Sequence, residues 1–126
     1  MLLVLAGVLG KPVFRFLYYT SGVEGHFQQA HFDSKGWQNN VLDGNPNWPT
    51  RLRMVDDLLK RHLLDGRSRK EVESLLGPGS HTEYFPNWDL AYRLGPERGF
   101  IRIDSEWLVI RLDSAARVKE YSLKTD

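Results

Sequence analysis

Cysteine is absent from the 126 residues of this chain. Its absence excludes a disulfide framework, a thiolate zinc site, a cysteine nucleophile and a lipid anchor attached to cysteine. The chain also lacks an excess of charge of one sign, because 17 Lys and Arg residues stand against 16 Asp and Glu residues, for a net charge of +1. This balance gives no overall argument for nucleic acid or anionic lipid as a partner.

A hydrophobic run long enough to cross a membrane is lacking as well. Residues Met1 to Gly10 are apolar, but Lys11 and Pro12 end the run, and a membrane-spanning helix needs about 20 such residues. We therefore treat residues 1–12 as an apolar N-terminal segment with three open interpretations. It is a remnant export signal, a buried element of the fold, or an anchor that associates with a membrane.

What the chain does contain is typical of one soluble globular domain. Hydrophobic residues make up 41% of it and charged residues 26%, and the length suits a single domain. Residues 13–49 read as an irregular arm that contains aromatic anchors, with a strand conceivable at Val13 to Tyr19. From residue 50 to residue 126 the apolar pattern becomes regular, and this part is interpreted as the folded domain.

Two consecutive helices open the regular part. Thr50 is placed as the cap of the first helix, which closes at Gly66 through a left-handed glycine. The apolar stripe of this helix recurs every three or four residues and consists of Leu52, Val55, Leu58, Leu59, His62 and Leu63. Ser68 and Glu71 form a capping box for the second helix, and Gly77-Pro78-Gly79 ends it, since proline cannot extend a helix.

After the second helix the apolar period changes to two, as in half-buried strands. We expect strands at Trp88 to Leu94, at Trp107 to Leu112 with a beginning at Phe100 to Ile103, and at Arg117 to Leu123. The predicted fold class is α+β: two consecutive helices packed on one face of a three- to four-stranded antiparallel β-meander, preceded by the irregular arm. The helices are needed because a bare sheet of this size is not stable.

The segment from Gly66 to Pro78 resembles the helix–turn signature of the SmpA/OmlA (BamE-like) domain family. The family pattern has a capping residue, a buried valine and a helix end before three antiparallel strands. The matching positions in this sequence are Ser68, Val72 and Leu75-Leu76-Gly77. The resemblance covers residues 50–123. It implies a small bacterial envelope protein that binds other proteins, and a relative other than the subunit of the outer-membrane assembly machine, because the arm lies outside the shared pattern.

The predicted function is therefore a non-catalytic protein-binding or scaffolding module of the bacterial envelope or periplasm. A cytoplasmic nucleic-acid-binding or regulatory domain is the first alternative, since two helices joined by a short turn carry a basic cluster of Lys60, Arg61, Arg67, Arg69 and Lys70. Acidic residues interrupt that cluster, which disfavours nucleic acid. An inhibitor or immunity-type protein that captures an enzyme is the second alternative.

Candidate catalytic and metal-binding residues are few. Asp56 and Asp57 are neighbours on a helix and point in different directions, whereas Asp104 and Glu106 could share a strand face but have no recognisable pocket. His26 and His31 lie near Asp33 without the regular spacing of metal ligands, and His62 and His81 stand alone. We assign no enzymatic activity, no metal, no cofactor and no small-molecule substrate.

Aromatic residues are in surplus. The stretch Tyr84-Phe85-Pro86-Asn87-Trp88 precedes a strand, and Pro86 cannot donate to a ladder, which places the stretch at an edge. Exposed aromatic side chains of this kind form hot spots of binding. We therefore predict a patch for a protein partner at Tyr84, Phe85 and Trp88, with packing beneath the N-terminal arm as the alternative role of these rings.

Overall fold

The structure is a computed structural model that describes residues 29–39, 50–98 and 104–126. Within them the chain is α+β, as predicted, with helices and a three-stranded antiparallel sheet. The elements in chain order are α1 (Ser34–Asn39), α2 (Thr50–Lys60), α3 (Arg69–Leu76), β1 (Leu90–Pro96), β2 (Ser105–Leu112) and β3 (Val118–Thr125). Predictions for residues 1–12, for Val13 to Tyr19 and for Phe100 to Ile103 concern residues outside these ranges.

Helix α1 corrects the prediction that the whole arm over residues 13–49 is irregular. Asp33 caps this helix, since its Oδ2 accepts a hydrogen bond of 2.7 Å from the amide of Gly36. Trp37 follows one residue later and is fully buried. A helix of six residues is too short to show a helical apolar period, so only the cap signalled it. Trp37 shares a core with residues of the 50–126 range.

Helix α2 is shorter than predicted. It ends at Lys60, and residues 61–66 follow as turns, with His62 in the left-handed region at φ 57°. His62 thus leaves the helical stripe, and its Nδ1 lies 3.1 Å from Oδ2 of Asp65. Gly66 has the predicted left-handed conformation, with φ 72°, but it ends the turns and not helix α2, so the predicted closing of the helix at Gly66 is wrong. The stripe of α2 is buried nearly completely at Leu52, Val55, Leu58 and Leu59.

Helix α3 begins with the predicted capping box. The hydroxyl of Ser68 accepts a hydrogen bond of 3.1 Å from the amide of Glu71, and the Glu71 carboxylate accepts one of 2.9 Å from the amide of Ser68. These bonds satisfy two amides that the first turn of a helix leaves without partners. Accepting the Ser68 amide is the main reason why the pKa of Glu71 is lowered.

The sheet is a meander in which β1 pairs with β2 and β2 pairs with β3, all antiparallel. Leu108 faces Tyr92 on one side and Leu123 on the other, which fixes the register. Each strand begins and ends within two residues of its predicted position, and the later start of β1 at Leu90 leaves Trp88 in the preceding loop. Among the described residues, β3 has no neighbouring strand on its outer side.

Side chains of the strands alternate between two apolar clusters. The helix-side cluster combines helical and strand residues; its strand members are Leu90, Tyr92, Leu94, Leu108, Ile110, Tyr121 and Leu123. The loop-side cluster consists of Phe85, Trp88, Ala91 and Val109, with Trp107 packed against it. Within residues 29–39, 50–98 and 104–126, none of the helices has the length and apolar character needed to cross a membrane.

Candidate functional site

The loop of residues 80–89 joins α3 to β1 and covers the loop-side cluster. Ser80 pairs with Ala91 through two backbone hydrogen bonds of 3.1 and 2.8 Å. Gly79 permits this return of the chain, because a Cβ there would lie 2.8 Å from Cδ2 of Leu90. Beyond Ser80, the amide of Phe85 donates to the carbonyl of Thr82 and the amide of Trp88 to that of Phe85, each at 3.1 Å. These turns direct the aromatic rings toward the sheet.

The three residues predicted as a partner patch divide into two groups. Phe85 and Trp88 are each only 8% exposed and belong to the loop-side cluster, whereas Tyr84 is 65% exposed. Tyr84 is the one large hydrophobic side chain that is exposed in the described part of the chain. Its ring lies 6.1 Å from the ring of Trp107 and 6.4 Å from that of Phe85. The exposed ring therefore stands on a packed aromatic base.

An aromatic groove with a volume of about 510 Å³ runs beside Tyr84. Its walls come from two segments that are distant in sequence: Tyr84, Phe85, Pro86, Asn87 and Trp88 from the loop, and Leu123, Lys124 and Thr125 from the end of β3. Such a concave surface, which combines aromatic residues with the polar residues Asn87, Lys124 and Thr125, can receive a side chain of a partner. Sequence reasoning found the loop wall and missed the strand wall, for which the sequence carries no local signal.

Cations border the groove on the side of Trp88. The guanidinium carbon of Arg111 lies 4.2 Å from the centre of the Trp88 ring, and Nζ of Lys124 lies 5.7 Å from it. Both distances are within the range of cation–π attraction. Arg111 is also fixed by an ion pair of 2.7 Å with Glu120. Lys124, by contrast, has no carboxylate within ion-pair distance among the described residues.

A carboxylate, that of Asp126, follows directly after the last residue of β3. Oδ1 of Asp126 accepts a hydrogen bond of 3.0 Å from the amide of Ser105, and Oδ2 accepts one of 3.0 Å from the indole N–H of Trp107. The amide of Ser105 is the main cause that holds the pKa of Asp126 below its usual value, and the Trp107 indole adds to it. Asp126 thereby fixes the orientation of the Trp107 ring against which Tyr84 rests.

Sequence reasoning missed a buried ionic cluster on the other side of the sheet. The guanidinium of Arg98, 1% exposed, donates to both carboxylate oxygens of Glu106 at 2.9 and 3.0 Å and to Oδ2 of Asp56 at 3.1 Å. Glu106 itself is fully buried. No local pattern marks Arg98, because its partners are 8 and 42 residues away in the sequence.

The candidate carboxylate pairs do not form dyads in the structure. Asp56 binds Arg98, whereas Asp57 accepts a hydrogen bond of 2.6 Å from the amide of Phe32 and pairs with Arg61. Burial alone would raise the pKa of Asp57, but the Phe32 amide and Arg61 together lower it. Glu106 is held by Arg98 inside the protein, while Asp104 is exposed.

Two of the histidines that the sequence offered as candidate metal ligands lie at the surface. His31 and His81 are exposed, and Nδ1 of His31 lies 3.8 Å from Oδ1 of Asp57; His26 lies outside the described ranges. No three His, Asp or Glu side chains in the described ranges converge as metal ligands would.

The basic cluster between α2 and α3 is largely engaged within the protein. Arg61 pairs with Asp57 at 3.1 Å, and Arg69 lies 3.6 Å from the carboxylate of Glu73. Arg67 donates from its side chain to the carbonyl of Leu63. These contacts reduce the positive potential that this turn could offer to a phosphate backbone.

No protein-family model, curated protein or solved structure matches this chain. The SmpA/OmlA resemblance of residues 50–123 therefore stays a prediction.

Proposed function

We propose that this chain is a non-catalytic protein-binding module that holds its partner in the aromatic groove. The observation that carries the proposal is Tyr84, a 65% exposed ring that rests on the buried ring of Phe85 and the half-buried ring of Trp107 beside a concave surface. Large aromatic side chains dominate the energetics of protein interfaces. A ring that is already fixed by its neighbours also loses little conformational entropy on binding.

The partner's anchor is an apolar or aromatic side chain that fills the groove between Pro86 and Leu123. Lys124 lies at the rim and attracts a carboxylate next to that anchor. The resemblance of residues 50–123 to the SmpA/OmlA family supports the same class of function and adds the bacterial envelope as the proposed compartment. The proposed arrangement, with α2 and α3 as a layer on the helix-side face of the sheet, leaves the opposite face to the partner.

Selection from a displayed library of random peptides, followed by affinity measurement of the enriched peptides, tests this proposal. We expect Tyr84→Ala to raise the Kd of such a peptide at least about 30-fold, which corresponds to about 2 kcal/mol. The thermal unfolding of this variant should stay close to that of the wild type, because the ring is exposed. Enriched peptides should share an apolar or aromatic residue next to an acidic one.

Glu83→Ala is the matched control, since Glu83 is exposed, precedes Tyr84 and does not line the groove. Its effect on peptide affinity should stay within about twofold. The proposal fails if no peptide is enriched on the wild type relative to the Tyr84→Ala variant, or if enriched peptides bind both proteins equally.

A further inference from the structure

The loop wall of the aromatic groove contains a turn whose two central residues are Glu83 and Tyr84. The amide of Phe85 closes this turn on the carbonyl of Thr82 at 3.1 Å, and the amide of Tyr84 donates to Oγ1 of Thr82 at 3.3 Å. Both central side chains are exposed. The turn therefore presents a carboxylate and an aromatic ring side by side on a fixed backbone, which loses little conformational entropy on binding.

The groove itself is suited to receive such a pair of side chains. It offers apolar surface between Pro86 and Leu123, and Lys124 lies at its rim. Within the part of the chain that the structure describes, neither the Lys124 nor the Glu83 side chain forms an ion pair. The groove calls for a ring or apolar group next to a carboxylate, and the turn at Glu83 and Tyr84 has this chemistry.

We propose that the partner held in the groove is a second copy of this chain, an inference that rests on the proposed function of the groove. Tyr84 of each copy enters the groove of the other, and Glu83 of each copy pairs with Lys124 of the other, which gives two pairs of opposite charge per dimer. Because Tyr84 also lines the groove of its own copy, the two rings meet near the twofold axis. Aromatic pairs add attraction beyond the area that they bury.

The positions of the inserted ring and of the receiving groove determine the type of assembly. Tyr84 lines the same groove that receives its counterpart, so the two surfaces overlap in one patch. Overlapping surfaces give an isologous contact with a twofold axis, which closes after two copies. Surfaces on different faces of the molecule would give a head-to-tail contact, which generates rings or filaments. The overlap at Tyr84 therefore favours a closed dimer.

The size of the patch indicates a weak dimer. Each copy inserts one ring into a groove with a volume of about 510 Å³, and a standard protein interface is larger, since it buries about 1,600 Å² in total. We therefore expect a dissociation constant above about 10 µM. At concentrations well below this value the chain is monomeric, and its groove is open to the peptides that test the proposed function.

Sedimentation equilibrium of the full chain, at concentrations up to about 1 mM, tests the dimer. We expect Glu83→Lys and Lys124→Glu each to raise the dimer dissociation constant at least about 10-fold, because each substitution makes both charge pairs repulsive. A chain with both substitutions should dimerise as the wild type does, since the exchanged charges again meet their opposites. Tyr84→Ala should raise the constant at least about 30-fold, because both contacts lose their ring.

Lys119→Glu is the matched control for the charge reversal on β3. Lys119 is exposed and does not line the groove, so this substitution should leave the dissociation constant within about threefold. Near-ultraviolet circular dichroism checks the fold of Lys124→Glu, because Nζ of Lys124 lies 5.7 Å from the centre of the Trp88 ring.

Glu83→Ala separates the dimer from the proposed function of the groove. We expect it to raise the dimer dissociation constant at least about threefold and to leave the peptide affinity within about twofold. Wild-type protein that stays monomeric at about 1 mM would overturn the dimer, and peptides that still bind would assign the groove to a different protein. A dimer that survives both single charge reversals, or that the double substitution does not restore, would overturn the proposal as well.

Discussion

Leu108 and Val109 are neighbours on β2 and both are fully buried, yet they belong to different cores. Leu108 lies in the helix-side cluster, which draws on α1, α2, α3 and all three strands. Val109 lies in the loop-side cluster of four residues, which the loop of residues 80–89 covers. The same strand thus contributes to a large core on one face and to a small one on the other.

We infer that the large cluster chiefly provides stability, whereas the small one supports the proposed binding surface. Elements held by few buried contacts open at low free energy, and binding surfaces are commonly drawn from such regions. The exposed ring of Tyr84 stands over the loop-side cluster. The helix-side cluster instead borders a buried charge cluster around Arg98, whose hydrogen bonds fix one arrangement of α2 and β2. We expect mutations on the helix side to change the free energy of unfolding and mutations at the groove to change binding.

Of the substitutions that test this difference between the two faces, Arg98→Met on the helix side should lower the free energy of unfolding most. Removing the guanidinium leaves the buried Glu106 and Asp56 without the cation that they share, and breaking a buried ion pair in this way costs about 3–5 kcal/mol of unfolding free energy. Adding Glu106→Gln should restore part of the loss, because it removes one of the two buried carboxylates that lose their bond to Arg98. Urea unfolding measures both variants.

Arg93→Met is the control for this prediction, since Arg93 is an exposed arginine on β1 that donates to the hydroxyl of Ser105. Its effect should stay within about 0.5 kcal/mol. A loss of similar size in Arg93→Met and Arg98→Met would show that the buried cluster has no special part in stability.

How much of this fold the sequence predicts depends on how local each signal is. The capping box involves Ser68 and Glu71, which are three residues apart, and the strands are marked by the alternation of apolar and polar residues. Because both signals are local, the sequence alone sufficed to predict these elements, and both predictions were confirmed. Helix α1 has one short-range signal, the Asp33 cap, and its main stabilisation comes from burying Trp37 against distant residues. Tertiary packing of this kind is invisible to local periodicity, and for this reason the prediction of a wholly irregular arm was wrong.

An intermediate effect should distinguish the two clusters directly. We expect Leu108→Ala to lower the free energy of unfolding by about 3–4 kcal/mol. The helix-side cluster is held in place from several sides, so the substitution leaves a cavity that the surroundings do not fill. Val109→Ala removes two carbon atoms, where Leu108→Ala removes three, and the loop above can collapse onto the space, so Val109→Ala should lower the free energy of unfolding by only about 1–2 kcal/mol. Urea unfolding of the two variants measures both losses of unfolding free energy. Equal losses would contradict the view that the loop-side cluster adjusts more easily to a substitution than the helix-side cluster does.

The part of the candidate site that comes from a single loop was predictable from the sequence. Tyr84, Phe85 and Trp88 stand close together in the sequence, and their aromatic surplus pointed to that loop. Their division into one exposed and two buried rings was not predictable, because it depends on Ala91 and Val109 beneath them. The second wall of the groove comes from Lys124 and its neighbours on β3, about 40 residues further along the chain, and such long-range contacts depend on sheet register.

The smallest effect concerns a single carboxylate at the rim of the loop-side face. Hydrogen bonds, chiefly from the amide of Ser105 and then from the indole of Trp107, hold the pKa of Asp126 below its usual value. The folded state therefore favours the carboxylate, so its stabilisation is present above the unfolded pKa of about 4 and is lost as the pH falls through the lower folded pKa. We expect the indole N–H resonance of Trp107 to move with a midpoint below pH 4.

Trp37 provides the internal reference, because its buried indole N–H has no hydrogen-bond partner among the described residues. Its resonance should stay constant over the pH range in which that of Trp107 moves, and Asp126→Asn should abolish the Trp107 titration in that range. If both indole signals change together, the titration reports acid unfolding of the whole domain instead of a local carboxylate. Separate behaviour would show that the loop side responds to protonation while the helix-side core remains intact, which is the independence that a recognition surface on a stable core requires.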